Sequence, residues 1–326
     1  MDNQQFENNS DVVFAINAIF NNAPIESILP MPGGRSGAML YLARVNGAGY
    51  VVKKVDPSRP MHKERAEQEF ACMTIASELG VAPKLYYSNI ELGLSIAEQI
   101  DGAPLARSAK YLERVAEALR RLHQGPEFPQ GVDPAALAHL MDEYLLAQSG
   151  CGLPESIMQT IDEVHSMMAS FVRSTPCHND LNPTNIIETD RGVYFVDWEW
   201  AGMSNPFVDL AQLGVFGFPR AEQRVELLER YLERLPTDQE RALMTMARGM
   251  ALAVFAAGFY QTAQASGDHT SPDAFPMPDL LAYLGALRER ASASVVAVSL
   301  LEEMRREIDT DAYGDAKRLL LLMASD

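Results

Sequence analysis

The segment from residue 177 to 197 constrains this chain more than any other part of its sequence. It begins Cys-His-Asn-Asp-Leu-Asn-Pro-Thr-Asn-Ile-Ile, so that Asp180 is followed five positions later by Asn185. Twelve positions beyond Asn185, a short apolar run at 193–196 ends in Asp197. A loop followed by a strand that returns beside it brings these three side chains towards one point. A plain polar turn would account only for the Asn-Asp and Asn-Pro pairs.

The transfer of a phosphoryl group from a nucleotide requires the residue types found in this segment. One carboxylate accepts the proton of the attacking hydroxyl group and orients that group. An amide oxygen and a second carboxylate hold Mg²⁺, which prefers oxygen ligands. The spacing of Asp180, Asn185 and Asp197 also resembles the catalytic loop of kinases and the metal-binding aspartate that follows it.

The pattern of apolar residues predicts an α+β protein with two lobes, 1–102 and 103–326. The first lobe has β-rich runs, two of them joined by Asn-Gly-Ala-Gly as in a hairpin, and one amphipathic helix that packs on their sheet. The second lobe is mainly helical. The predicted helices are 11–20, 62–79, 111–123, 135–147, 156–172 and several after 220. The predicted strands are a first one near 28–29, then 38–45, 49–55, 83–88, 92–99, 184–188 and 193–196, so the first lobe has the order strand, strand, strand, helix, strand, strand.

These motifs, in this order, resemble the aminoglycoside phosphotransferase and choline kinase superfamily over roughly residues 28–213. The resemblance implies a two-lobed protein-kinase-like fold, with ATP and Mg²⁺ as cofactors. It implies that Asp180 is the catalytic base and that Asn185 and Asp197 are magnesium ligands. It also implies that His178 braces the loop and that Asp209, in Asn-Pro-Phe-Val-Asp-Leu-Ala, anchors the loop by hydrogen bonds. A helix N-cap is an alternative role for Asp209.

The upstream lobe supplies residues that, by the same resemblance, bind the nucleotide. Lys53, in Tyr-Val-Val-Lys, matches the phosphate-binding lysine, and Glu69 matches the helix glutamate that pairs with it, with Glu67 as the second choice. Lys54 competes with Lys53, but alternation along a strand places only one of the two towards the nucleotide. A glycine-rich loop that covers the phosphates and a hinge that contacts adenine complete the predicted set, which is Gly33, Gly34, Ser36, Gly37, Gln99 and Ile100.

The acceptor of the phosphoryl group is predicted to be a small cationic alcohol. Only twelve positions separate Asp197 from Asp209, which leaves no room for the long activation segment of a protein kinase. The His-Asn-Asp and Asp-Trp-Glu-Trp segments resemble those of choline kinases. An ammonium group suits aromatic faces beside a carboxylate. We predict Glu199, Trp200 and Phe259 as its contacts, with core packing as the alternative for the stripe that Phe259 forms with Phe255 and Tyr260.

Two alternatives to a choline-type kinase remain at this point. An aminoglycoside phosphotransferase would fit the acidic charge of the chain equally well. An inactive kinase-like binding module is disfavoured because such a module does not need Lys53, Asp180, Asn185 and Asp197 together. The oligomeric state is left without a prediction.

Composition excludes several other classes of protein. The 326 residues carry a net charge of −17, whereas a nucleic-acid-binding protein needs a basic face. Three cysteines without a C-x-x-C pair argue against a disulfide framework or a zinc site. The polar N-terminus lacks the pattern of a signal peptide, and the apolar run at 250–258 is too short to span a bilayer. We therefore expect a cytoplasmic protein that is not embedded in a membrane.

Overall fold

The N-terminal runs form one antiparallel sheet with the strand order β1-β2-β3-β5-β4. The computed structural model describes residues 10–31, 38–58, 62–104, 109–130, 133–268, 273–287 and 291–325. The strands of this sheet are β1 (Ile25–Met31), β2 (Met39–Val45), β3 (Ala48–Lys54), β4 (Leu85–Asn89) and β5 (Leu94–Glu98). Two helices accompany them, α1 (Ser10–Ile19) and α2 (His62–Glu78). The predicted order of strands and helices in this lobe is confirmed.

Strand alternation gives the sheet two different faces. Val52 and Ile96 belong to one apolar cluster with Val12 and Ile16 of α1, so α1 covers that face. Lys53, one position away on β3, extends from the opposite face, on the side of α2. The sequence predicted one helix on the sheet, whereas the structure packs one helix against each face.

The C-terminal lobe is built on its longest described helix, α8, whose neighbours surround it. Its helices are α3 (Ala109–His123), α4 (Pro134–Ser149), α5 (Glu155–Ala169), α6 (Pro206–Phe216), α7 (Ala221–Leu232), α8 (Asp238–Ser266), α9 (Met277–Leu287), α10 (Ala293–Ile308) and α11 (Asp311–Ala324). A capping box between Thr237 and Glu240 starts α8, and Gly267, with a φ of 68°, ends it.

The length and the burial of α8 bear on the predicted absence of a membrane span. The apolar run at 250–258 lies inside this 29-residue helix, which by length and composition could cross a membrane. The sequence did not show that this short run belongs to a helix of that length. However, 83% of its most apolar window is buried inside the protein, which is the pattern of a core helix.

Two small sheets place the polar segment at the junction of the lobes. One consists of β6 (Ala103–Pro104), β8 (Ile186–Glu188) and β9 (Val193–Phe195), and the other of β7 (Thr175–Cys177) and β10 (Gly202–Ser204). A side chain at Gly102 would place its Cβ 2.4 Å from the carbonyl oxygen of Glu188, so only glycine fits there. Strand β6 pairs with β8, and the lobe boundary near residue 102 stays a prediction.

Candidate active site

One buried carboxylate, that of Asp209, accepts hydrogen bonds from the backbone of the loop after β7. Asp209, in the first turn of α6, accepts hydrogen bonds of 2.8 Å from the backbone N–H groups of His178 and Asn179. The N-cap of α6 is Asn205, which accepts from the N–H of Phe207, so the N-cap alternative for Asp209 is wrong. The Asp209 side chain is directed at the loop instead.

His178 links the loop to the strand that precedes Asp197. Its Nε2 atom lies 3.0 Å from the carbonyl oxygen of Val196, and its ring packs edge-on against Trp198, with ring centroids 4.8 Å apart. Both His178 and Trp198 are buried. This contact holds the start of the loop and the end of β9 at a constant separation.

Two asparagines hold the Asp180 carboxylate. Asn182 donates to both of its oxygens at 3.1 Å, and Asn185 donates at 2.8 Å to Oδ2. Burial raises the pKa of Asp180, and the hydrogen bonds from the two asparagines oppose that increase. These hydrogen bonds fix the orientation of the Asp180 carboxylate, as a general base requires.

Lys53 joins the sheet, helix α2 and Asp197. Its Nζ atom lies 2.8 Å from Oε1 of Glu69 and 3.1 Å from Oδ1 of Asp197. Burial by itself would lower the pKa of Lys53, but Glu69 and Asp197 together raise it, so the side chain is charged. Lys54 pairs with Asp11 of α1 at 3.0 Å, on the other face of the sheet.

Asn185 and Asp197 present oxygen donors that fit a hard cation such as Mg²⁺. The side-chain nitrogen of Asn185 donates to Asp180, so the side-chain oxygen Oδ1 is the atom that a cation would contact. The backbone N–H of Val196 donates at 2.9 Å to the backbone carbonyl oxygen of Asn185, so the loop and the strand run side by side. Asp197 has a φ of 64° and an exposed carboxylate.

The remaining predicted nucleotide contacts are partly within the described structure. Gly33, Gly34, Ser36 and Gly37 lie outside the described residues. Gln99 and Ile100 follow β5, and the N–H of Gln99 donates to the carbonyl oxygen of Gly49 at 3.1 Å. The hinge contact of Gln99 and Ile100 with an adenine base stays a prediction.

Glu199 and Trp200 lie beside Asp197 and share one partner. The guanidinium carbon of Arg65 is 4.4 Å from the centre of the Trp200 ring, and its Nη1 atom is 3.5 Å from Oε1 of Glu199. Burial raises the pKa of Glu199, and the positive charges of Lys53 and Arg65 oppose that increase. A carboxylate beside an aromatic face is a site for a cation.

The aromatic stripe of α8 packs into the lobe. Phe255 and Phe259 are 6% and 7% exposed and belong to the main apolar core, where Phe255 lies 5.2 Å from Phe216 between ring centres. Tyr260 is half-buried against the same core. This burial favours core packing for Phe259 over the acceptor contact that the sequence suggested.

Four residues of this region were not identified from the sequence. They are Arg65, His123, Asn179 and Asn182. Nε2 of His123 lies 3.0 Å from Oδ2 of Asp209, and its Nδ1 is 2.9 Å from the hydroxyl of Tyr231. For Asn182 the signal was present, since it stands two positions after Asp180. For His123, no spacing in the sequence relates it to Asp209.

The buried group formed by His123, Cys177 and Asp209 has the spacing of a metal site but not its chemistry. Both oxygens of Asp209 already accept hydrogen bonds from the loop, and His123 contacts one of them. Burial raises the pKa of the Cys177 thiol well above its ordinary value. The group supports the loop.

Comparison with known proteins gives this arrangement a context. The model of the phosphotransferase enzyme family matches residues 27–244. Among curated proteins, the protein LicA homolog of Mycoplasma capricolum is 29% identical over 117 residues, which are 36% of this chain and 48% of that relative. The chain thus matches about half of the length of this relative.

Solved structures match nearly the whole chain. A choline/ethanolamine kinase family protein from Mesorhizobium loti has a TM-score of 0.70 at 20% identity and covers 95% of this chain and 98% of its own. Choline kinase LicA from Streptococcus pneumoniae has a TM-score of 0.66 at 18% identity, covering 91% and 99%. A spectinomycin phosphotransferase with bound ADP has a TM-score of 0.55 at 11% identity, covering 90% and 98%. These likenesses confirm the predicted α+β, protein-kinase-like fold.

Proposed function

Because this chain belongs to the phosphotransferase enzyme family and is a small-molecule kinase, we propose that it transfers the γ-phosphate of ATP to the hydroxyl group of a small cationic acceptor, of the choline or ethanolamine type. The observation that carries the proposal is the position of Lys53. Its contacts with Glu69 and Asp197 bring the lysine strand, the helix glutamate and the proposed metal-binding aspartate to one point between the two lobes, which we call the cleft.

The proposed roles of the side chains follow from this geometry. Asp180, held by Asn182 and Asn185, orients the acceptor hydroxyl and takes its proton. Lys53 contacts the phosphates. Asn185 and Asp197 would hold Mg²⁺, which supplies charge neutralisation at the phosphates when bound.

The cationic character of the acceptor is supported by the Arg65 contact. The Trp200 ring and the Glu199 carboxylate already contact the positively charged guanidinium of Arg65, so the two side chains also suit an ammonium group. A second candidate is an aminoglycoside acceptor. The burial of Phe255 and Phe259 favours it, because an ammonium pocket without these two aromatic walls depends more on the Glu199 carboxylate.

Turnover of ATP against a panel of acceptors tests the proposal. We expect phosphorylation of choline or ethanolamine, or of an aminoglycoside for the second candidate, and none of neutral hexoses. Asp180→Asn should lower kcat by about 10²- to 10⁴-fold while ATP binding is retained, because the base contacts the hydroxyl and not the nucleotide. Asp190→Asn, on the exposed turn between β8 and β9, is the matched control. Phosphorylation of neutral acceptors alone would refute the cationic acceptor.

A further inference from the structure

One face of α6 makes four hydrogen bonds to the backbone of the loop that carries Asp180. Asp209 accepts two of them, from the N–H groups of His178 and Asn179. The other two belong to Gln212, which lies three positions further along α6, and side chains at that spacing share one face of a helix. Gln212 is a further residue of this region that the sequence did not single out.

The side-chain amide of Gln212 makes one hydrogen bond on each side of Asp180. Its Nε2 atom donates at 2.8 Å to the backbone carbonyl oxygen of Asn179, and its Oε1 atom accepts at 3.1 Å from the backbone N–H of Leu181. Gln212 is only 1% exposed, so water does not compete for either bond. Each end of the amide thus meets a backbone group of the complementary kind.

These two bonds fix the peptide groups that flank Asp180. Asn179, directly before it, has a φ of 64°, and a residue other than glycine keeps that conformation only where its surroundings hold it. The backbone N–H of Asp180 has a longer contact, of 3.3 Å, with Nδ1 of His178. Without the Gln212 amide, two backbone groups next to Asp180 would lose their partners, which is unfavourable away from water.

We propose that Gln212 is a positioning residue for phosphoryl transfer. It holds the backbone on both sides of Asp180, so that the carboxylate meets the acceptor hydroxyl in the orientation that Asn182 and Asn185 define. Gln212 acts through Asp180, from the buried side of the loop. The inference rests on the proposed function, in which Asp180 is the base. Because a misplacement of about 1 Å costs about 10²-fold in rate, the effect of losing Gln212 belongs to kcat.

The test compares Gln212→Met with the wild type and with Ser299→Ala. Methionine keeps an unbranched side chain but removes both hydrogen bonds. Ser299 of α10 is a matched control, because it is also buried, accepts from the backbone N–H of Phe275 and donates to the carbonyl oxygen of Val295. With an acceptor that the wild type phosphorylates, Gln212→Met should lower kcat by about ten- to a hundredfold, with the KM for ATP unchanged. Ser299→Ala should leave kcat unchanged.

A double variant distinguishes positioning from a general loss of stability. If Gln212 acts only through Asp180, its replacement has nothing further to disturb once the base is gone. Asp180→Asn combined with Gln212→Met should then have the kcat of Asp180→Asn alone, whereas independent effects would multiply. Hydrogen exchange at the backbone N–H of Leu181, which requires no acceptor, should be faster in Gln212→Met than in Ser299→Ala.

A second substitution keeps the test available if methionine prevents folding. Gln212→Glu has the same length and keeps an oxygen that accepts from Leu181, but it lacks the amide donor to Asn179. We expect its kcat to lie between those of the wild type and of Gln212→Met. Thermal unfolding checks that each variant is folded.

Three outcomes would overturn the inference. The first is that kcat or the exchange rate of Leu181 in Gln212→Met equals that of the wild type. The second is a double variant that is slower than Asp180→Asn by the full factor of Gln212→Met. Both leave the proposed function intact. In the third, no acceptor is phosphorylated, or Asp180→Asn retains the wild-type kcat. The proposed function then fails, and this inference fails with it.

Discussion

At the scale of single residues, two left-handed backbone positions shape the cleft. Asn179 and Asp197 both have a φ of 64°. Asparagine, aspartate and glycine tolerate this region, whereas other residues adopt it at a cost of roughly 1–2 kcal/mol. Asn179 also donates from its side chain to the carbonyl oxygen of Trp200 at 2.9 Å, so it ties the loop to the proposed acceptor subsite.

The backbone conformation of Asp197 determines which substitution should test its proposed role as a magnesium ligand. Asp197→Asn removes the ligand charge but retains a side chain that tolerates positive φ, whereas Asp197→Ala adds backbone strain. We expect Asp197→Asn to raise the Mg²⁺ concentration for half-maximal rate by at least about tenfold, since even the loss of an outer-shell partner typically costs that much. Asn185→Ala should have a smaller effect, because it removes a neutral ligand. A magnesium titration that is the same as that of the wild type would contradict the role of Asp197.

Lys53 and Lys54 form a matched pair for mutation. Lys53→Ala should raise the KM for ATP, because it removes a charge that contacts Glu69 and Asp197 inside the cleft. Lys54→Ala should leave ATP kinetics unchanged, because its partner Asp11 lies on the other face of the sheet. Initial-rate kinetics with varied ATP distinguish the two. The reverse ranking would assign the phosphate contact to Lys54.

At the scale of helices and strands, the start of α8 has a measurable contribution to stability. Thr237 accepts from the N–H of Glu240, and Glu240 accepts from the N–H of Thr237 and pairs with Arg234. Thr237→Ala should lower the free energy of unfolding by about 1 kcal/mol, as for other N-cap replacements. Urea unfolding measures it, and Asp238→Asn, at an exposed neighbouring position, is the control. An unchanged free energy would show that core packing alone starts the helix.

The same capping box makes part of the stability depend on pH. Hydrogen bonds from Arg234 lower the pKa of Glu240 from 4.5 to about 2. Because the folded pKa lies below the unfolded one, this stabilisation is complete above about pH 4.5 and is lost as the pH falls towards 2. Glu240→Gln should therefore be less stable than the wild type at pH 7, and the difference should shrink between pH 4.5 and 2. A difference that stays constant over that range would exclude ionised Glu240 as its source.

The order of the elements was predictable because most of them carry a clear period. Leu112, Val115 and Leu119 mark one face of α3, and the hairpin turn separates β2 from β3. Strands β7 and β10 have three residues each and were not predicted, because neither lies in an apolar run as β8 and β9 do. The packing of α1 on the sheet also left no local signal.

The same distinction applies to the candidate site. Asp180, Asn185 and Asp197 lie within one short segment, so their spacing alone indicates a common site. The contact of Arg65 with Trp200 joins residues that are 135 positions apart, and only tertiary packing brings them together. Burial of Phe259 was likewise undecided, because a stripe on a helix faces either a pocket or the core with the same spacing.

At the scale of the whole molecule, the charge of −17 acts on any cationic acceptor. Such a field attracts cations over distances that salt shortens to about 10 Å at 0.1 M ionic strength. We expect the KM for a cationic acceptor to rise several-fold when ionic strength is raised from about 0.03 to 0.3 M. A neutral alcohol that is turned over slowly serves as the control. A KM for the cation that does not respond to salt would show that the field has no role.

The two ion pairs that cross the cleft, from Lys53 to Asp197 and from Arg65 to Glu199, have a consequence for the resting enzyme. Each of these two carboxylates is neutralised by a cation that belongs to the chain. If Asp197 held a metal ion under the proposed function, Lys53 would give up its contact with that carboxylate, and a ligand cation at Glu199 would likewise compete with Arg65. Binding of a cation at either carboxylate would then be an ion exchange, in which the protein releases one of its own resident counter-ions as the incoming cation arrives.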